Sequence, residues 1–208
     1  MKKQLFHGSD HIIETPIYGV GKKHNDYGQG FYCTEDIALA KEWAVSEEKD
    51  GYVNEYEIET NGLHILNIND GSFTLLHWMG LLLNNRAFVL ATPLEREAKR
   101  YITDCFPVPL AGVDVIIGYR ADDSYTQVIE AFLLNQINIE EIKKLFYKGS
   151  LGNQIFLKSQ KAFKQIEWKD AWQVYKDESD VTADFHARRE VNQFFSARNR
   201  AILLEGFE

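Results

Sequence analysis

Stretches with strand character and stretches with helical spacing succeed one another in this chain without the regular strand–helix–strand alternation of a doubly wound sheet, and this favours an α+β fold. Residues 3–9 alternate weakly and end at His7-Gly8-Ser9, which predicts a short strand delivering those residues to an edge. Phe31-Tyr32-Cys33 predicts a second strand, with Thr34 the expected N-cap of a helix carrying Ile37, Ala40, Lys41 and Ala44 at helical spacing. Val53 to Ile58 alternates as a half-buried strand, Leu63 to Ile68 predicts another, and Val113-Asp114-Val115-Ile116-Ile117-Gly118 is the clearest buried one. Helices are expected over Phe73 to Leu83, from Pro93 to Arg100, over Thr126 to Leu134 and over Asn138 to Phe146. Gln154 to Leu157 predicts a strand, whereas Trp168 to Val174 suits a strand or a helix equally. Ala187, Val191, Phe194 and Phe195 share one face of an expected amphipathic helix from Ala183 to Ala201.

A chain of 208 residues has room for one full hydrophobic core and not for two. Its 4 prolines and 14 glycines are scattered, so no linker divides it. The expected organisation is a domain over 1–176 and a C-terminal helical extension over 177–208, joined at the polar stretch of Asp177, Glu178 and Asp180. Cys33 and Cys105 cannot build a disulfide framework and stand in no zinc-ligand spacing, so no metal is expected. The longest apolar stretch, Leu75 to Leu83, is interrupted by His77 and falls short of the roughly 20 residues that span a bilayer. No signal-peptide pattern follows Met1, and the expected location is the cytoplasm, with no membrane partner. A net charge of −8 disfavours broad electrostatic capture of nucleic acid, while leaving room for a local basic patch.

Three segments carry chemistry: Leu5-Phe6-His7-Gly8-Ser9, then Tyr27-Gly28-Gln29-Gly30-Phe31-Tyr32-Cys33-Thr34, and Gly152-Asn153-Gln154-Ile155-Phe156. Each alone has an ordinary structural reading, and Trp43 on an amphipathic helix is ordinarily core. In this order they resemble the ADP-ribosyltransferase superfamily, specifically its diphtheria-toxin and poly-ADP-ribose-polymerase branch, which carries a His-Tyr-Glu signature on three separate strands. His7 matches the first member, and Tyr32, in a Gly-x-Gly-aromatic-Tyr motif, matches the second. Gln154 stands at the third. Trp43 lies eleven residues past Tyr32, where the polymerases keep an aromatic that stacks on nicotinamide. A closer likeness, over roughly residues 4–165, is to an uncharacterised bacterial family of the same superfamily, through Gly118 to Asp123 matching Gly-x-x-Ala-Asp-Asp.

The resemblance implies a split mixed β-sheet core with flanking helices and an NAD-dependent enzyme of the glycosyltransferase class. The expected reaction is mono-ADP-ribosylation of a macromolecular acceptor, protein or nucleic acid, with release of nicotinamide. NAD is the co-substrate, contacted by His7, Gly8, Ser9, Gly30, Tyr32 and Trp43, and the catalytic set is His7, Tyr32, Gln154 and Asp123. A role as a bacterial toxin or antiphage effector, with a neutralising antitoxin partner, follows only by analogy.

Cleaving the nicotinamide–ribose bond develops positive charge on the ribose, as glycoside hydrolysis does. The site must hold the leaving ring, fix the ribose hydroxyls and stabilise that charge. The Gly8 backbone can hydrogen-bond the carboxamide, His7 a ribose hydroxyl, and Tyr32 and Trp43 offer faces to the ring. Gln154 can bond a hydroxyl but brings no negative charge, which disfavours elongation to a polymer. Asp122 and Asp123 read equally as a replacement for that charge or as a solvated turn, and Glu130 as a surface charge. His186, Arg188, Arg189, Arg198 and Arg200 suit a solvated helical face more than contact with a target, nucleic acid or an acidic partner surface. Two rivals remain: a catalytically silent module binding NAD or ADP-ribose, and, ranked last, an RNA 2′-phosphotransferase-like enzyme. The latter favours arginines at the site, and the first 80 residues contain none.

Overall fold

The computed structural model describes residues 1–46, 48–121, 124–148, 152–177 and 191–197. In chain order the elements are β1 (Lys2–Ser9), β2 (Phe31–Cys33), α1 (Ile37–Ala44), β3 (Gly51–Glu59), β4 (Ile65–Asn67) and α2 (Leu75–Asn85). There follow α3 (Pro93–Cys105), β5 (Val115–Tyr119), α4 (Ser124–Leu133), α5 (Ile139–Lys148), β6 (Asn153–Leu157), α6 (Gln160–Lys164) and β7 (Ile166–Val174). Residues 191–197 are also helical. The strands form a three-stranded sheet, β1-β3-β7, and a four-stranded sheet, β2-β6-β5-β4. Among the described residues only β4 and β5 run parallel, and the other pairs are antiparallel. The class is α+β.

Among the described residues the two sheets meet at one bridge, where Phe6 and Thr34 exchange both backbone hydrogen bonds, at 2.8 and 2.9 Å. That bridge corrects the expected start of α1. Thr34 is still extended, its hydroxyl donates to the Asn153 carbonyl, and Asp36 caps α1 by accepting from the Ala38 amide. Trp168 to Val174, ambiguous in sequence, becomes strand because β3 lies beside it along its whole length. Helix α6 was not anticipated, because five residues are too few to show a helical period.

Apolar residues divide by strand alternation. Leu5, Phe31, Cys33, Tyr56, Ile155 and Leu157 fill the space between the sheets. Phe156, on the opposite face of β6, joins Ile116, Met79, Leu82, Ile129 and Ile142 beneath the helices. Val191 is buried in that second cluster with Phe194 and Phe195 against it, so the described part of the C-terminal segment packs on the main core. Among the described residues no helix is long and apolar enough to cross a membrane.

Candidate functional site

Because Phe6 and Thr34 form a hydrogen-bonded pair, antiparallel geometry makes Gly8 and Tyr32 the next such pair along β1 and β2. That pair does not form. The His7 ring instead reaches the Tyr32 carbonyl, with Nδ1 2.6 Å from the oxygen, and the two strands part. A carbonyl can only accept, so Nδ1 carries the proton and Nε2 of the neutral ring is an acceptor. Burial pushes the His7 pKa down to about 4, against the opposing pull of the Tyr32 carbonyl, so the ring is neutral near pH 7. The Phe31 ring lies against it, with centroids 4.5 Å apart. By alternation the N–H and C=O of Gly8 face the same edge as those of Phe6, and among the described residues nothing pairs with them there.

Gly8 also has a packing reason that its sequence context does not reveal. A Cβ there would fall 2.0 Å from the Ala40 carbonyl oxygen and 2.5 Å from the Ala44 nitrogen, so only glycine lets α1 rest on β1. Gly30 is likewise a packing glycine, since its Cβ would meet the Phe156 ring at 2.3 Å and the Leu157 carbonyl at 2.4 Å. The Ser9 hydroxyl donates to the His11 carbonyl and accepts from the amide of Asn54. Asn54, fully buried in β3, accepts from the Ile13 amide and donates back to the His11 carbonyl, which ties down the turn that leaves β1. Sequence reasoning passed over Asn54, although a polar residue beside Val53 in an alternating strand was the available signal.

The Tyr32 hydroxyl is committed to the glycine loop. It donates to the Gly28 carbonyl at 2.6 Å and accepts from the Tyr27 amide at 3.0 Å, and burial raises its pKa. One side of its ring packs on Phe156 at 4.7 Å between centroids. The expected stacking face is therefore partly used within the protein.

Gln154 shares the helix-covered face of β6 with Phe156 and is 3% exposed. Its Nε2 donates to Asp26 Oδ2 at 2.7 Å and to the Tyr119 carbonyl at 3.1 Å, so the amide nitrogen is committed within the protein. Asp26 is itself 2% exposed and meets Arg86 Nε at 2.6 Å and the Ala121 amide at 2.8 Å. Arg86 in turn donates to the Ala121 carbonyl and to Thr126. Sequence reasoning missed both ions, because Asp26 reads as a turn residue and Arg86 as a helix end.

Trp43 sits on α1 with its Cβ beside Gly8, and the Arg120 guanidinium carbon lies 5.9 Å from its ring centroid. Arg120 also pairs with Glu42 at 3.4 Å. Asp122 and Asp123 lie outside the described residues, as do His186, Arg188, Arg189, Arg198 and Arg200. Glu130 is half-buried on α4 rather than a plain surface charge, and burial raises its pKa, with a smaller push from Glu95.

Against known proteins, residues 3–168 match a family described as Protein of unknown function (DUF3990). The chain belongs to that family. The stretch matched takes in His7, Tyr32, Trp43, Asp26, Arg86 and Gln154, so the DUF3990 region holds the whole constellation and stops short of residues 191–197. No curated protein and no solved structure matches the chain.

Proposed function

We propose that this chain binds NAD where β1 and β2 part and transfers its ADP-ribose to a macromolecular acceptor. The observation that carries the reading is the His7–Tyr32 hydrogen bond, which ends the β1–β2 pairing and leaves an acceptor nitrogen beside a Gly8 backbone edge that has no partner among the described residues. A carboxamide offers one carbonyl and one amino group, the complement of the Gly8 N–H and C=O. A ribose hydroxyl can donate to His7 Nε2. Trp43 borders the same strand, with Arg120 over one face of its ring, and its other face is the flat contact this reading assigns to the pyridine ring. Two sheets that separate from a single bridge are also what the superfamily resemblance implies for this core.

In the reaction the bond between nicotinamide nitrogen and ribose C1″ breaks, and its electron pair leaves with nicotinamide. The acceptor oxygen or nitrogen forms the new bond to C1″ and gives up a proton, or water does so in hydrolysis. A single transfer rather than polymer growth agrees with an uncharged residue at 154. The second reading, a silent module that binds NAD or ADP-ribose, is favoured by the Gln154 amide being spent on Asp26 and Tyr119.

Calorimetry with NAD, followed by chromatography for nicotinamide after incubation with labelled NAD and lysate, separates the readings. Label lost to protease or to nuclease identifies the acceptor class. Binding without nicotinamide release favours the module, and no binding at millimolar NAD removes both. The toxin analogy adds a growth test: expression should arrest bacteria, His7→Ala should relieve the arrest, and a neutralising partner should be recoverable on the wild-type chain.

A further inference from the structure

Asp26 and Arg86 form a buried ion pair that the NAD reading does not use. An ionised carboxylate 2% exposed is stable only when its oxygens are bonded, and here Arg86, the Ala121 amide and Gln154 bond them. The pair grips Ala121 from both sides, since Asp26 takes its N–H while Arg86 Nη2 donates to its C=O at 2.7 Å. Ala121 directly follows Arg120, which lies over Trp43, and directly precedes Asp122 in sequence. On the other side of Asp26, the Tyr27 amide and Gly28 carbonyl hold the Tyr32 hydroxyl. The Tyr119 carbonyl collects Tyr27 Oη, Trp78 Nε1 and Gln154 Nε2, which draws β5, β6, α2 and the glycine loop onto one point.

We propose that Asp26, held by Arg86, is the positioning residue of the candidate site and carries the buried negative charge that an acid at position 154 would otherwise supply. It acts through Gln154, Ala121 and the Tyr27–Gly28 segment and touches no substrate. The inference rests on the NAD reading for its effect on turnover, and stands apart from it for its effect on the Ala121 backbone.

The test compares the full-length parent with Asp26→Asn and with the reciprocal exchange Asp26→Asn/Gln154→Glu, which moves the carboxylate across the 2.7 Å contact. If positioning is right, Asp26→Asn lowers kcat for nicotinamide release about 10- to 100-fold, the size expected of a small misplacement, and changes KM for NAD less than about threefold. The exchange recovers kcat to within about threefold of the parent. Amide hydrogen exchange supplies the independent readout: Asp26→Asn should speed exchange at Ala121 about 100-fold while Val53, in the other sheet, stays protected. Unchanged Ala121 exchange overturns the proposal whether or not the parent cleaves NAD. An exchange variant that regains thermal stability but not kcat overturns it too. A parent that binds no NAD overturns the NAD reading alone, and accelerated Ala121 exchange then still supports the clamp.

Discussion

At the level of sequence, Gln154→Glu restores a carboxylate at the third signature position; in the structure the Asp26 contact opposes that charge. The Gln154 nitrogen donates to Asp26 at 2.7 Å, and a carboxylate in its place would set two negative oxygens at that contact. At an effective dielectric of about 20, two unit charges about 2.7 Å apart repel by about 6 kcal/mol, part of which Arg86 offsets. The introduced carboxyl escapes by holding its proton, so its folded pKa rises above the ordinary value of about 4.3. A rise of about 2 to 3 units corresponds to about 3 to 4 kcal/mol. The folded variant then binds more protons than the unfolded chain between those pKa values, so its stability relative to the parent falls as pH climbs through that window. Below it, the protonated carboxyl donates to Asp26 much as the amide did. Paired thermal melts should show the variant within a few degrees of the parent at about pH 5 and about 6 to 16 °C lower at about pH 8. Gln154→Ala, which loses the charge-assisted hydrogen bond to Asp26 and the neutral one to the Tyr119 carbonyl, should cost about 2 to 4.5 kcal/mol with little pH dependence. A Gln154→Glu protein that melts with the parent at about pH 8 and hydrolyses NAD faster would return residue 154 to the ribose and refute the reasoning.

Gly8→Ala forces a methyl against the Ala40 carbonyl and should cost about 3 kcal/mol, read as a melting point about 6 to 12 °C lower; an unshifted melt with lost NAD binding would make Gly8 purely a ligand contact. Folded His7 titrates near 4 and an unfolded histidine near 6.5, so the unfolded chain binds the extra proton between these values and stability drops as pH falls through them. After solvent screening the loss is about 1 to 2 kcal/mol by urea unfolding, and His7→Gln should remove that slope. NAD affinity should for the same reason stay flat from about pH 8 down to about pH 5.5, and a binding midpoint near 6.5 would contradict an acceptor Nε2. Trp43→Ala should weaken NAD binding by about 0.5 to 1.5 kcal/mol without unfolding the chain, and NAD should change tryptophan emission in the parent; collapse of the fold would make Trp43 core. Removing residues 177–208 uncovers the site of Val191, and the loss of that buried side chain alone is worth about 1.5 to 3 kcal/mol, so the truncated protein should melt earlier; an unchanged melt would make the extension dispensable.

What the sequence reveals and what it hides divides along contact distance. β2 and β5 were legible because each shows its own short run of apolar residues, and α3 because Pro93 opens its first turn behind Thr92, which the structure completes with a capping box to Glu95. The start of α1 was not, since Thr34 is held extended by Phe6, far away along the chain. Gly8 was legible as a special glycine, but two close approaches compete to explain it, and only the position of α1 decides that a helix backbone sits there. His7 was legible as a residue, yet which of its nitrogens donates follows from the Tyr32 carbonyl, a neighbour brought by the fold.

The buried ion pair lies furthest from view. Asp26 meets Arg86 across 60 positions of chain and Gln154 across 128, and no local pattern distinguishes these from charges left in water. Once the contact is known, however, the odd residue of the signature becomes intelligible. A side chain at 154 that must donate to a carboxylate cannot itself be an ionised carboxylate, so the residue types at 26 and 154 are physically coupled. DUF3990 chains with an acid at the position of Gln154 should therefore carry an uncharged donor at the position of Asp26. Chains with acids at both would show that the two side chains do not meet.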